Sequence, residues 1–339
     1  MAAPRILVLM TTYNGERYLR GQLDSVLAQE GVEVQMRIRD DASSDGTWAI
    51  LQEYAQMYPN IEIARNEPNL GCIRNFMGLI YGVGHDEWSQ IGKPGWDMPP
   101  QADGIGADYV AICDQDDVWL PNKLVSAVAA LESVGAPKTQ PALYYADVTN
   151  VDEGDNVIGN EYAPYKVCAA AYGSLLLVQN WCLGCTTLMN AALVSKLQER
   201  PAYDFERMYD AWIHAVALYC GGRVVCDLDH SYIRRRISAT NTVGVMNEKR
   251  SAGYIVRKGL ILAFEKDRAV ALKHTMLARR LLEEYGADMD DDTRQLVSDV
   301  ANRETDAAAR KRLLARKDIV MTSPLRTQWL RMMLRINKF

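Results

Sequence analysis

The stretch Asp108-Tyr-Val-Ala-Ile-Cys113-Asp114-Gln115-Asp116-Asp117 decides the fold. Asp108–Cys113 has the apolar pattern of a buried strand, and it stops abruptly at three carboxylates within four residues. Charges that close repel one another unless solvent or a cation intervenes. In an open α/β sheet, ligands bind just beyond the carboxyl ends of the strands. Asp114 and Asp116 lie two apart, so their side chains can converge on one ion. Hard oxygen ligands of this kind suit Mg²⁺ or Mn²⁺, which can bridge two phosphates. The plainer alternative is a solvated acidic turn, with Asp117 facing the N-terminal dipole of the next helix.

Working outward, the chain before this point is built of strand-then-helix units. Arg5–Met10 reads as a strand, with a helical pattern from Glu16 to Glu30. Val32–Arg39 alternates like a strand before a helix over Thr47–Met57, and Ile61–Arg65 precedes a helix over Ile73–Tyr81. Such alternation implies crossover connections and a mostly parallel central sheet. Residues 82–107 hold six Gly and three Pro without a period, the composition of a long surface loop. Beyond the acidic motif, Asn122–Ser133, Met189–Gln198 and Met208–Tyr219 read as helices. Leu143–Asp147, Ser174–Val178 and Val224–Asp227 read as strands. From about Ser251 the pattern is helical and charged.

Two further strand ends carry polar clusters. Asp40-Asp41-Ala-Ser43-Ser44-Asp45-Gly46-Thr47 does not fit a calcium loop, because Gln52 falls where a bidentate Glu is needed. A carboxylate there can accept the imide N–H of uracil or thymine, while Asp45-Gly46-Thr47 suits a turn and helix cap. Thr11-Thr12-Tyr13-Asn14-Gly15 places a tyrosine where it can stack on a base, although Asn-Gly is also a common turn.

Bulk properties narrow the classes. Of a net charge of −5, residues 250–339 contribute 19 Lys/Arg against 12 Asp/Glu, so the body is acidic and the tail basic. That speaks against nucleic acid as a partner of the body and for a tail that meets an anionic surface. No apolar run approaches the roughly 18 residues that span a bilayer. The N-terminus lacks the features of a signal peptide, which points to a cytoplasmic protein. The seven scattered cysteines, Cys182-Leu-Gly-Cys185 among them, read as buried residues rather than a disulfide or zinc framework. Over residues 310–339, nine Lys/Arg accompany one acidic residue. There Leu325, Trp329, Met332, Met333, Ile336 and Phe339 share a helical face, the make-up of an interfacial helix.

Taken as a set, Thr12-Tyr13-Asn14, Gln22-Leu-Asp24-Ser25, the Asp40–Thr47 motif, Asn69-Leu-Gly71 with Arg74-Asn75-Phe76, and Asp114-Gln-Asp116-Asp117-Val-Trp119 resemble the inverting family 2 glycosyltransferases of GT-A fold. The likeness is greatest to their bacterial rhamnosyltransferase-type branch and covers about residues 4–245. The resemblance implies a catalytic α/β domain over 1–245 and a helical, basic extension over 246–339. It implies that Thr12, Tyr13, Asn14 and Asp40 or Asp41 hold the nucleotide, and that Arg74 lies near the donor's sugar or phosphates. Asp114 and Asp116 would bind a metal–diphosphate, and Asp210, ahead of Trp212, would be the general base. Gly184, Cys185 and Trp212 resemble acceptor-side positions, and Arg236 and Asn241 a closing loop. Two positions depart from the family pattern: Tyr209 and Ser238 stand where histidine is usual.

The implied reaction moves rhamnose or a related hexose from a dTDP- or UDP-sugar to a glycan or lipid-linked acceptor in cell-surface polysaccharide synthesis. A galactosyl-, glucosyl- or N-acetylhexosaminyl-transferase is the alternative within the class. A nucleotidyltransferase lacks its glycine-rich phosphate loop here, and a non-catalytic nucleotide-sugar-binding module would need no base. A homodimer and a peripheral position on the inner face of the plasma membrane remain open expectations.

Overall fold

A computed structural model describes residues 2–96, 104–135, 138–162, 180–202, 208–237, 259–320 and 324–337. The strands are β1 (Arg5–Thr12), β2 (Glu33–Asp40), β3 (Ile61–Arg65), β4 (Tyr109–Cys113), β5 (Val118–Trp119), β6 (Ala142–Val151), β7 (Val157–Asn160), β8 (Leu188–Asn190) and β9 (Arg223–Arg236). The helices are α1 (Leu19–Leu27), α2 (Thr47–Met57), α3 (Cys72–Tyr81), α4 (Lys123–Ser133), α5 (Ala191–Gln198), α6 (Tyr209–Tyr219), α7 (Gly259–Tyr285), α8 (Asp291–Asn302), α9 (Ala307–Ala315) and α10 (Pro324–Arg335).

All strands join one sheet in the order β3-β2-β1-β4-β8-β6-β9-β5, with β7 on β6. The first four are mutually parallel, as the strand–helix rhythm requires. Beyond β4 the sheet is mixed: β8 runs antiparallel to both β4 and β6, and β9 runs parallel to β6. Ile6 to Met10 are buried without a break, because helices cover both faces. Side-chain alternation sorts them into two cores. Ile6, Val8, Met10, Ala111 and Cys113 meet α1, α2 and α4 on one face. Leu7, Leu9, Val110 and Ile112 meet α3, α5 and α6 on the other.

Several expectations are refined. Helix α1 starts at Leu19 instead of Glu16, because the Glu16 N–H donates to Asp45 Oδ2 at 3.1 Å and its carboxylate accepts from Gly46 N–H. Leu188–Asn190 is a strand, and Asn190 then caps α5 through Leu193 N–H. Ser174–Val178 lies outside the described residues. Strand β9 is 14 residues long, although its second half, Leu228–Arg236, is too polar to read as a strand. Residues 82–96 are not a surface loop: Val83, Trp88 and Ile91 are buried in the core. What holds them is Arg39, fully buried on β2, which donates to the Ile91 carbonyl at 2.7 Å and to Asn75 Oδ1 at 2.6 Å.

The C-terminal helices continue the same core. Leu277, Ala278, Leu281 and Tyr285 of α7 pack with Trp212 and Tyr219 of α6. The expected apolar face of α10 is divided: Met333, with Leu330 and Leu334, is buried against the protein, while Leu325, Met332 and Ile336 are exposed. Arg331 turns back onto the protein and donates to the Leu314 and Arg316 carbonyls. Phe339 lies outside the described residues. Among the described residues, no helix is long and apolar enough to cross a membrane.

Candidate active site

The parallel strands β1, β2 and β4 end side by side, which brings Thr12–Asn14, Asp40–Asp45 and Asp114–Asp117 to one rim of the sheet. Their loops are laced together by side chains. Gln115 brackets the Tyr13 backbone, accepting its N–H at 2.8 Å and donating to its carbonyl at 3.0 Å. Gly15 is required beneath it, since a Cβ there would meet Gln115 Oε1 at 2.3 Å. Asn14, with φ 49°, accepts from Ser44 N–H, and its own N–H donates to Ser43 Oγ. The Tyr13 ring, held on this fixed backbone, stands half exposed at 52%.

Asp40 and Asp41 are buried and heavily engaged. Asp40 Oδ1 accepts from the Thr12 and Ser43 hydroxyls, while Oδ2 accepts from Ser43 N–H and lies 3.3 Å from Arg65 Nε. Asp41 accepts from Asn66 Nδ2 and from the Leu70 and Gly71 N–H groups, each at 2.8 Å. Both carboxylates therefore shape the loop that frames the rim. Arg74, on the first turn of α3, donates Nε–H to the Gly92 carbonyl at 2.5 Å.

At the end of β4 the charges are less well compensated. Ligand atoms of Asp114, Asp117 and Cys185 lie within 4.8 Å of one another. Burial, reinforced by Asp116 and Asp210 and opposed by Arg235, pushes the Asp114 carboxyl up to about 7. Asp117 is pushed well above the usual carboxylate range by burial and by Asp114 and Asp116. Its Oδ1 accepts from Arg236 N–H at 3.2 Å, whereas its buried Oδ2 has no partner among the described residues. Burial also raises Asp116. The sequence reading joined Asp114 to Asp116, and only its plainer alternative, a solvated acidic turn, placed Asp117 at the helix dipole. The structure brings Asp117 instead into single-ion reach of Asp114.

Positive charge is supplied from β9 and from α4. Arg235 opposes the Asp114, Asp116 and Asp117 charges. Lys123 is buried, its Nζ 3.7 Å from the Trp119 ring centre. Arg236, expected in a closing loop, sits at the end of β9 with its guanidinium 4.4 Å from the Tyr18 ring and 2.7 Å from Asp155. Asn241 and Ser238 lie outside the described residues.

Residues 184–186 and 208–212 flank the site from the other side. Gly184 opens a 3₁₀ turn against Tyr209, and a Cβ there would meet the tyrosine hydroxyl at 2.2 Å. Tyr209 is buried and packs on Phe76 with ring centres 4.4 Å apart. This accounts for a tyrosine where the family pattern has histidine: here the position fills a core. Trp212 is also a core residue, 1% exposed and 5.9 Å from the Tyr285 ring, so the expected acceptor contact does not hold for it. Asp210, between them on the first turn of α6, is half-buried, and its charge acts on Asp114. Asn180 donates to Asp210 Oδ1 at 3.1 Å; neither Asn180 nor Arg39 stood out in the sequence, because each acts through backbone carbonyls and amides.

The carboxylate trio suits a hard divalent cation: three raised carboxyls and one orphaned buried oxygen are what a missing positive charge leaves behind. Burial pushes the Cys185 thiol well up, so it stands beside Asp114 as a neutral thiol rather than as a thiolate.

Comparison with known proteins bears on the fold and on the first strand–helix units. The fold is that of the GT-A transferases. The chain superimposes on Staphylococcus aureus TarS 1-349 in complex with UDP-GlcNAc with a TM-score of 0.52 at 15% identity, over 98% of this chain and 88% of that one. Residues 7–81 match the family described as Glycosyl transferase family 2. A dTDP-rhamnosyl transferase, RfbG of Shigella flexneri, is 32% identical over 124 residues, 36% of each chain. An Escherichia coli protein named UDP-Glc:alpha-D-GlcNAc-diphosphoundecaprenol beta-1,3-glucosyltransferase is 24% identical over 186 residues, 54% of this chain and 59% of that one. The matched stretch thus spans about a third of the first relative's length and under two thirds of the second's.

Proposed function

We propose that the chain is an inverting, divalent-metal-dependent glycosyltransferase that moves a sugar from a nucleotide-diphosphate donor to an acceptor hydroxyl. The observation that carries this reading is the raised, under-compensated carboxylate cluster of Asp114, Asp116 and Asp117 at the strand ends, facing Asp210 across the rim. Asp114, with its neighbouring carboxylates, would hold Mg²⁺ or Mn²⁺. When bound, the ion neutralises the departing diphosphate. Tyr13 offers a ring for the base, and the Asp41 loop a fixed wall beside it. Asp210 would take the proton of the acceptor hydroxyl as it attacks the anomeric carbon.

Among donors, dTDP-rhamnose is favoured by the rhamnosyltransferase-like motifs and by the relative named a dTDP-rhamnosyl transferase. UDP-glucose is the runner-up, on the relative named a glucosyltransferase. The acceptor we infer is a glycan or lipid-linked saccharide at the inner face of the plasma membrane. The exposed Leu325 and Met332 of α10 and Ile336 just after it, with Arg335 beside them, offer a small surface for peripheral contact there. The test is release of nucleoside diphosphate from dTDP-rhamnose, UDP-glucose and UDP-GlcNAc, with Mn²⁺ and with chelator. Metal-dependent release from one donor is expected; equal release with and without metal would remove the metal from the account, and release of sugar 1-phosphate, by cleavage within the diphosphate, would indicate a nucleotidyltransferase.

A further inference from the structure

The carboxamide of Asn180 lies between Asp210 and a buried histidine, and its orientation follows from the backbone of Cys182. Cys182 N–H donates to Asn180 Oδ1 at 3.1 Å, and Asn180 Nδ2 donates to the Cys182 carbonyl at 2.9 Å. Exchanging the amide oxygen and nitrogen would set donor against donor and acceptor against acceptor, so the assignment is fixed by its partners. Nδ2 is then the atom 3.1 Å from Asp210 Oδ1, and Oδ1 the atom 3.2 Å from His214 Nδ1. Because that oxygen only accepts, His214 must carry its proton on Nδ1.

His214 is one turn beyond Asp210 on α6, 2% exposed, with its ring edge against Tyr145 at 5.1 Å. Burial drives its pKa down to about 3, so the ring stays neutral at neutral pH. Its Nε2 has no partner among the described residues, consistent with a ring committed through Nδ1.

We propose that Asn180 and His214 are positioning residues for the base: the neutral Nδ1–H of His214 and the Cys182 backbone clamp the Asn180 amide, which in turn holds the Asp210 carboxylate for the acceptor. This rests on Asp210 acting as the base. Both residues act through another group and touch no substrate themselves. A general base must stay within hydrogen-bond reach of the hydroxyl it deprotonates, and small misplacements cost rate rather than donor affinity.

The full chain, labelled with ¹⁵N-histidine, gives a readout that needs no donor. With four histidines in the sequence, His214 is identified by the signal absent in His214→Asn. A neutral ring protonated on Nδ1 from pH 5.5 to 8 is expected, with that proton lost or moved in Asn180→Ala. An Nε2–H tautomer, or a His214 that titrates near its ordinary value, would overturn the proposal.

Turnover is read as nucleoside diphosphate release from dTDP-rhamnose and UDP-glucose. Asn180→Ala and His214→Leu should lower kcat by about tenfold or more, with donor KM unchanged, the scale of one lost hydrogen bond in the transition state. His214→Asn, whose Nδ2–H can replace the Nδ1–H, should recover to within about threefold of the parent protein. A purely packing role reverses that order, because leucine fills the space and asparagine buries an amide; His214→Leu as active as His214→Asn therefore sinks the proposal. Asp210→Asn run alongside separates the two readings. Loss of turnover there with an unaffected Asn180→Ala removes only the clamp, while undiminished Asp210→Asn removes the base and leaves the tautomer result standing.

Discussion

At the carboxyl end of β2 and at the carboxyl end of β4 the chain places neighbouring aspartates, and it treats them in opposite ways. Asp40 and Asp41 are buried among donors: hydroxyls, backbone N–H groups, Asn66 and Arg65 take up their oxygens. Half-buried Asp114 and buried Asp117 crowd one another, with one Asp117 oxygen orphaned and both carboxyls raised. Carboxylates that are satisfied internally hold a loop. Carboxylates left without compensation hold the site's capacity for a cation. Sequence composition alone does not separate the two cases, since both read as acidic clusters at strand ends.

The largest effect that would break or sharpen this contrast is catalytic. Asp210→Asn should cut nucleoside diphosphate release by roughly 10²–10⁴-fold, the range of general base catalysis, with donor affinity in calorimetry nearly unmoved. Near-normal turnover would return Asp210 to an acidic residue serving the α6 dipole.

Next comes stability, where the two clusters should respond with opposite sign. Asp40→Asn puts an amide N–H₂ among donors that need an acceptor, and should destabilise the fold by about 1–3 kcal/mol in denaturant titration. Asp117→Asn removes a charge that burial opposes, and should raise the melting temperature of the metal-free protein. The same sign from both variants would erase the distinction.

A smaller effect follows from pH. The folded Asp114 carboxyl sits near 7, above its unfolded value of about 3.9. Between those values the folded chain binds more protons than the unfolded one, so metal-free stability should fall as pH rises from about 4 through 7. Stabilisation by Mn²⁺ should grow over the same window, because the cation displaces those protons. Melting curves at pH 5 and pH 8, with and without Mn²⁺, check this; a metal-induced shift that is larger at pH 5 contradicts it.

The smallest expected effect concerns α10. Leu325→Glu with Ile336→Glu should leave turnover of the soluble donors and melting within error, yet reduce co-sedimentation with anionic vesicles at low salt. No binding by the parent chain would make the helix a packing element alone.

How much of this was legible in the sequence follows the same division. The first four strands could be read to within a few residues, since each is a continuous apolar run feeding an amphipathic helix, and the motifs at their ends announced the rim. Asp210 was found through its neighbours rather than by spacing. Three features were not legible, each for a physical reason. Strand β9 is half exposed and rich in arginine, so no period marks Leu228–Arg236. Segment 82–96 has loop composition, yet Arg39 holds it through a backbone carbonyl, a contact blind to residue type. Trp212 reads as a ligand contact from its place beside Asp210, although half a turn of helix carries it from the rim into the core.

The measurement that bears most directly on the central claim is calorimetric titration of the full chain with dTDP-rhamnose and UDP-glucose, with Mn²⁺ and with chelator, in the parent protein and in Asp114→Asn. Donor binding that requires Mn²⁺ in the parent protein and vanishes in Asp114→Asn is the expected result. Donor affinity indifferent to both the metal and the substitution would contradict the claim that the strand-end carboxylates exist to hold a metal–diphosphate.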